Sequence, residues 1–159
     1  EIFGYENPMQ SPEFNASIKK KYLFEGIYFD SNWEIILYKF LKDHNIDFKY
    51  HDKNTNFTFF YDIERTYIPD FIVNGNIIEI KGPHLFKDGK MICPWKHKND
   101  TPDKIEWRNG LYEAKHQCML NNGVRIITDV LSYGPREEWL DKVQTTKAKR
   151  KIKEFRKGN

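Results

Sequence analysis

The chain has 159 residues, 39% hydrophobic and 16% aromatic, which suits one folded domain with a modest core and excludes a disordered chain. Its 26 basic and 23 acidic side chains leave a net charge of +3, and two cysteines, Cys93 and Cys118, exclude a disulfide framework and point to a reducing, cytoplasmic compartment. No apolar run approaches the ~18–20 residues of a membrane span, and no basic region followed by an apolar one opens the chain, so neither a membrane partner nor a secretory signal is expected.

In chain order, residues 1–27 read as an N-terminal arm or a small appended module. Ser11 suits a helix cap with Pro12 at the first helical position, and Ile18 with Lys19, Lys20 and Lys21 would follow in a short helix. Ser31-Asn32-Trp33-Glu34 then opens a helix over 31–44. Its apolar positions Trp33, Ile36, Leu37, Phe40 and Leu41 make a 3.6-residue stripe. Glu34 borders the core-facing side of that stripe, while Ser31-x-x-Glu34 is also a capping box, in which the glutamate serves only the helix end. Short strands follow at 48–50 and 57–61.

The stretch 67–81 is the most informative. Phe71-Ile72-Val73 and Ile77-Ile78 flank Asn74-Gly75, the strongest short-range signal for a two-residue hairpin turn. With that turn Phe71 faces Ile78, and Asp70 falls opposite Glu79, on the same face as Lys81. Opposed like charges are destabilising, so two carboxylates beside a lysine ask for something between them. A divalent cation such as Mg²⁺, which takes oxygen ligands, is the natural candidate. Two other registers stay open. A Gly75-Asn76 loop would set Asp70 against Lys81 as a plain ion pair, and a three-residue loop would turn Asp70 to the other face. Pro69 removes one ladder donor just before Asp70, and Gly82-Pro83 ends the second strand, so the site would lie at a strand edge.

Beyond it, 83–100 is a long segment in which Lys87, Lys90, Lys96 and Lys98 interleave with His84, Trp95 and His97, a composition that suits contact with a nucleic-acid backbone. A helix begins at Thr101-Pro102 and runs through 111–121, with Gly123 as a left-handed stop. A buried strand follows at 124–128, and Gly134-Pro135 opens a last helix through Trp139 and Leu140. Cys93, His97, His116 and Cys118 offer the four ligands of a zinc site, but positions 116 and 118 point roughly 200° apart on a helix and converge poorly. The tail, 142–159, holds eight basic residues, among them Lys149, Arg150 and Lys151, against one acid, Glu154. It is therefore +7, and the remaining 141 residues, with 18 basic and 22 acidic side chains, are −4. Ala148, Ile152 and Phe155 recur at helical spacing within it.

Pro69-Asp70 and Glu79-Ile80-Lys81, placed on two adjacent strands, resemble the signature of the PD-(D/E)xK nuclease superfamily. The resemblance covers about residues 28–130. It implies a restriction-endonuclease-like α/β (α+β) core, a mixed central sheet with an antiparallel hairpin flanked by helices, within a nuclease domain over 28–141. It also implies hydrolysis of DNA phosphodiesters by a Mg²⁺-dependent (or Mn²⁺-dependent) endonuclease of phage or homing type in a bacterial or phage-infected cell. Asp70, Glu79, the Ile80 carbonyl and Glu34 would hold the metal, and Lys81 would assist the attacking water. Lys115, the 87–98 lysines and the tail would contact double-stranded DNA, with residues 1–27 as an arm or small DNA-binding module and a homodimer as a further implied partner. Two other classes fit the same residues: a non-catalytic DNA-binding module on this fold, and a protein-interaction domain whose tail meets an acidic partner.

Overall fold

The computed structural model describes residues 21–145, which form two compact units: 21–36 with 135–145, and 37–134. The protein is mixed α/β. Strands β1 (Tyr22–Phe24) and β2 (Ile27–Phe29) pair antiparallel across Glu25 and Gly26, both with positive φ (49° and 79°). Residues 22–27, read from sequence as the end of an arm, are therefore the start of a hairpin. Helix α1 (Asn32–Asp43) follows where the apolar stripe lies, and Ile35, Ile36, Leu37, Tyr38 and Leu41 are all buried on it. Its burial is wider than the predicted stripe, because Ile35 and Tyr38 are also covered.

The second unit is built on a four-stranded mixed sheet. β3 (Phe48–Tyr50) is followed by a separate two-stranded ribbon, β4 (Phe57–Tyr61) with β5 (Ile63–Tyr67). β6 (Phe71–Val73) and β7 (Asn76–Ile80) then form the hairpin, with Phe71 opposite Ile78 and Val73 opposite Asn76. Asn74 and Gly75 both take positive φ (51° and 78°), the geometry whose twist matches the flanking strands, and this selects the carboxylate-opposing register among the three open ones.

The segment after β7 is not a structureless loop. A 3-10 turn at Pro83–Leu85 leads into β8 (Phe86–Lys87) and β9 (Lys90–Met91), paired across Asp88-Gly89. The Met91 N–H donates to Glu113 Oε2 at 2.5 Å and the Cys93 N–H to Asn109 Oδ1 at 2.9 Å, which ties the segment to the following helix.

That helix is α2 (Pro102–Asn121), capped by the Thr101 side chain, which accepts from the Lys104 N–H. At its end the Val124 N–H bonds Met119 O at 3.0 Å and the Gly123 N–H bonds Leu120 O at 3.1 Å, with Gly123 at φ 71°. This is a Schellman stop, as Gly123 predicts. α2 supplies the long crossover that lets β10 (Arg125–Ile127) lie parallel to β7, giving the sheet order β10-β7-β6-β3. Tyr67, Met119 and Val124 form a buried cluster, with Phe57, Phe59, Ile77 and Ile126 packed on it.

The last helix predicted from sequence does not form. The Leu140 N–H closes one turn onto Arg136 O at 2.9 Å, a 3-10 turn follows at Leu140–Lys142, and β11 (Gln144–Thr145) then pairs antiparallel with β1. One turn is too short to repay helix nucleation, and the ladder to β1 demands extended backbone. The predicted N-terminal helix, and Lys149, Arg150 and Lys151 of the tail, lie outside the described residues. Among the described residues no helix is long and apolar enough to cross a membrane.

Candidate metal centre

The hairpin brings Asp70 and Glu79 together in the buried interior of the second unit, with 8% and 2% of their surface exposed. Beyond the Phe71–Ile78 pair the ladder changes character, because each strand's amide now serves the opposite carboxylate. The Asp70 N–H donates to Glu79 Oε2 at 3.1 Å, and the Ile80 N–H donates to Asp70 Oδ2 at 2.9 Å. Pro69 has no N–H to extend the ladder, which helps explain why pairing yields to side chains here. Each carboxylate is thus held through one oxygen by the backbone across from it.

The second oxygens meet cationic or ionisable groups. Lys81 Nζ lies 3.0 Å from Glu79 Oε1, and His51 Nε2 lies 3.5 Å from Asp70 Oδ1. The Lys81 N–H continues the parallel ladder to Ile127 O at 3.0 Å, so the strand end that presents its side chain is rigid. The Tyr67 hydroxyl donates to Glu79 Oε2, and Lys115 Nζ sits over the Tyr67 ring, 4.9 Å from its centre. Lys115, expected as a DNA contact, therefore borders this cluster.

Burial first, and then the Asp70 charge, raise the Glu79 pKa; Lys81, Lys115 and the Tyr67 hydrogen bond oppose that rise without cancelling it. Burial and the Glu79 charge likewise push the Tyr67 phenol up, so it stays a donor. Two carboxylates, Asp70 and Glu79, stand against two lysines, Lys81 and Lys115, so burial rather than an excess of negative charge is the first cause of the rise.

His51 and Tyr67 were not among the residues read from sequence. β3 pairs Tyr50 with Phe71, so the next residue, His51, falls against Asp70, and its N–H bonds Asp70 O at 3.0 Å. Tyr67 enters as the last residue of β5, paired with Phe57.

Glu34, on the first turn of α1, is buried; its Oε2 accepts from Ser31 Oγ at 3.0 Å, and its N–H donates to that same Oγ at 3.3 Å. The serine half of the capping box therefore forms, and the Glu34 carboxylate meets the Ser31 hydroxyl. Lys87 and Lys90 face each other at the exposed tip of the β8–β9 ribbon, and Lys96 and Lys98 are exposed beside Trp95. Among the described residues Cys93, His97, His116 and Cys118 do not gather into a ligand group. Cys118 is buried with its Sγ toward Thr58 O, and His116 sets its ring edge-on to Phe86.

Protein-family models, curated proteins and solved structures offer no match to this chain.

Proposed function

We propose that this protein is a metal-dependent endonuclease of the PD-(D/E)xK type that hydrolyses phosphodiester bonds in double-stranded DNA. The observation that supports it is the pair of buried, opposed carboxylates, each tied down by a backbone amide through one oxygen, with Lys81 beside them. Such a donor set fits a hard divalent cation: all oxygen, and doubly negative when both carboxylates are ionised. Asp70 Oδ1, Glu79 Oε1 and the Ile80 carbonyl are the groups that would hold Mg²⁺ or Mn²⁺. When bound, the cation supplies Lewis acidity toward a phosphate oxygen and toward water.

The chain's own residues do the rest. Asp70 and Glu79 fix the polar centre at the end of a sheet where the backbone cannot shift without breaking the β6–β7 and β7–β10 ladders. Lys81 donates to the attacking water or to the phosphate oxygens and offsets the negative charge that grows there. Lys115 adds a second cation on the same side of Glu79, and the exposed lysines of the 87–98 segment bind the DNA backbone without reading sequence.

Incubation of the chain with supercoiled plasmid and Mg²⁺ tests the reading. Nicked or linear product that disappears with a chelator is the expected result. Plasmid left intact at micromolar protein, with Mn²⁺ as well as Mg²⁺, while a gel shift still reports binding, would replace the nuclease by a non-catalytic DNA-binding module.

A further inference from the structure

Glu79 is anchored asymmetrically. Its Oε2 accepts from two donors, the Asp70 N–H at 3.1 Å and the Tyr67 hydroxyl, while its Oε1 meets the ammonium of Lys81 at 3.0 Å. Tyr67 is itself held from three directions. Its backbone closes β5 against Phe57, its ring is buried with Met119 and Val124, and Lys115 covers the ring face. A donor so fixed keeps Oε2 engaged and leaves Oε1 on the Lys81 side of the carboxylate.

We propose that Tyr67 is a positioning residue that restricts Glu79 to ligation through Oε1, and that this sets the centre's preference for Mg²⁺ and Mn²⁺ over Ca²⁺. The inference rests on the metal-centre reading above. Its chemistry follows from the ions. Mg²⁺ demands near-octahedral geometry at roughly 2.0–2.1 Å, which a bidentate carboxylate strains. Ca²⁺ takes about 6–8 oxygens at about 2.3–2.6 Å and accepts both oxygens of one carboxylate. Removing the Tyr67 hydroxyl frees Oε2 from one of its two donors and so favours the larger ion.

Isothermal titration of the full chain with MgCl₂, MnCl₂ and CaCl₂ separates the possibilities, using the unaltered protein, Tyr67→Phe and Asp70→Asn. The unaltered protein should bind Mg²⁺ and Mn²⁺ more tightly than Ca²⁺, and Asp70→Asn should bind none of them. Tyr67→Phe should shift the Mg²⁺/Ca²⁺ ratio of Kd values toward Ca²⁺ by roughly tenfold, the scale of one hydrogen bond to a charged group. Tyr67→Met, which fills the same buried cluster without a donor, should give the same shift, and a cooperative thermal transition confirms that each variant is folded. An unchanged ratio in both folded variants, with binding still lost in Asp70→Asn, overturns the positioning role and leaves the metal centre standing. Absence of binding to the unaltered protein overturns both.

Discussion

Asp70 and Glu79 are a costly pair for the cation-free protein to keep. Their carboxylates are opposed and buried, and Lys81, Lys115 and Tyr67 compensate only in part. Asp70→Asn keeps an oxygen for the Ile80 N–H while removing the charge that repels Glu79. It should therefore abolish metal-dependent cleavage, by at least about a hundredfold, without lowering the thermal midpoint of the cation-free protein. Glu79→Ala and Lys81→Ala should also abolish cleavage; full activity in either would remove that residue from the mechanism. The pH dependence follows from the raised Glu79 pKa. A carboxyl whose pKa is higher folded than unfolded binds its proton more readily in the native state, so stability falls as pH rises from its ordinary value of 4.5 through the folded value. Below that window both states are protonated and the effect vanishes. Thermal midpoints of the cation-free protein should accordingly decline as pH rises above that ordinary value, and Glu79→Gln should lose that share of the decline. A slope unaltered in Glu79→Gln would assign it to another group.

At the scale of elements, the helix α2 contains a glycine that ordinary propensity would replace. Alanine in a helix interior is worth roughly 0.5–1 kcal/mol over glycine. At Gly110, however, an added Cβ would lie 2.2 Å from the Tyr61 hydroxyl oxygen and 3.0 Å from its ring, and that hydroxyl donates to Trp107 O at 2.8 Å. The glycine is the gap through which the β4–β5 ribbon meets α2. Gly110→Ala should therefore destabilise by roughly 1–3 kcal/mol, the cost of overpacking, and the ordinary sign should return in a Tyr61→Ala background. Urea denaturation of the double-mutant cycle measures both. A stabilised Gly110→Ala single variant would show that Tyr61 moves aside freely. Gly75 presents the opposite case. Nothing lies within 4 Å of its would-be Cβ, but its φ of 78° sets the β6–β7 turn, so Gly75→Ala acts through backbone alone. It should cost about 1–2 kcal/mol.

For the whole molecule, charge is divided: −4 over the first 141 residues and +7 over the last eighteen. Phosphates repel a net acidic body, so DNA affinity needs a local excess of lysine and arginine. Each phosphate contact contributes about 0.9 to the slope of log K against log [salt] on duplex DNA. If the tail makes three or four such contacts, deletion of 147–159 should flatten that slope by about three units, while cleavage at saturating DNA survives. An unchanged slope would assign the tail to a protein partner and leave DNA contact to Lys87, Lys90, Lys96 and Lys98.

The juxtaposition of Asp70 with Glu79 was legible as one of three hairpin registers, because it depends on local chemistry. Asn74-Gly75 sets a two-residue turn, and the period of two along each strand carries that register to the carboxylates. α1, α2 and the Gly123 stop were legible for the same reason, through apolar period and capping. His51 was not, since its place opposite Asp70 follows from the pairing of β3 with β6, strands separated by the whole β4–β5 ribbon, and no local pattern encodes a partner at that distance. Tyr67 lies three residues before Asp70, but its bond to Glu79 exists only once β5 is packed against α2. At 135–140 local and distant preferences disagreed: Gly134-Pro135 reads as a helix start, yet β11 follows and pairs with β1, more than a hundred residues earlier. Sequence by itself therefore determined the hairpin and narrowed its register to three, because the turn and the strand period are set within one short stretch. Tertiary structure decided what surrounds that pair, because burial and the choice of strand neighbours depend on the whole sheet.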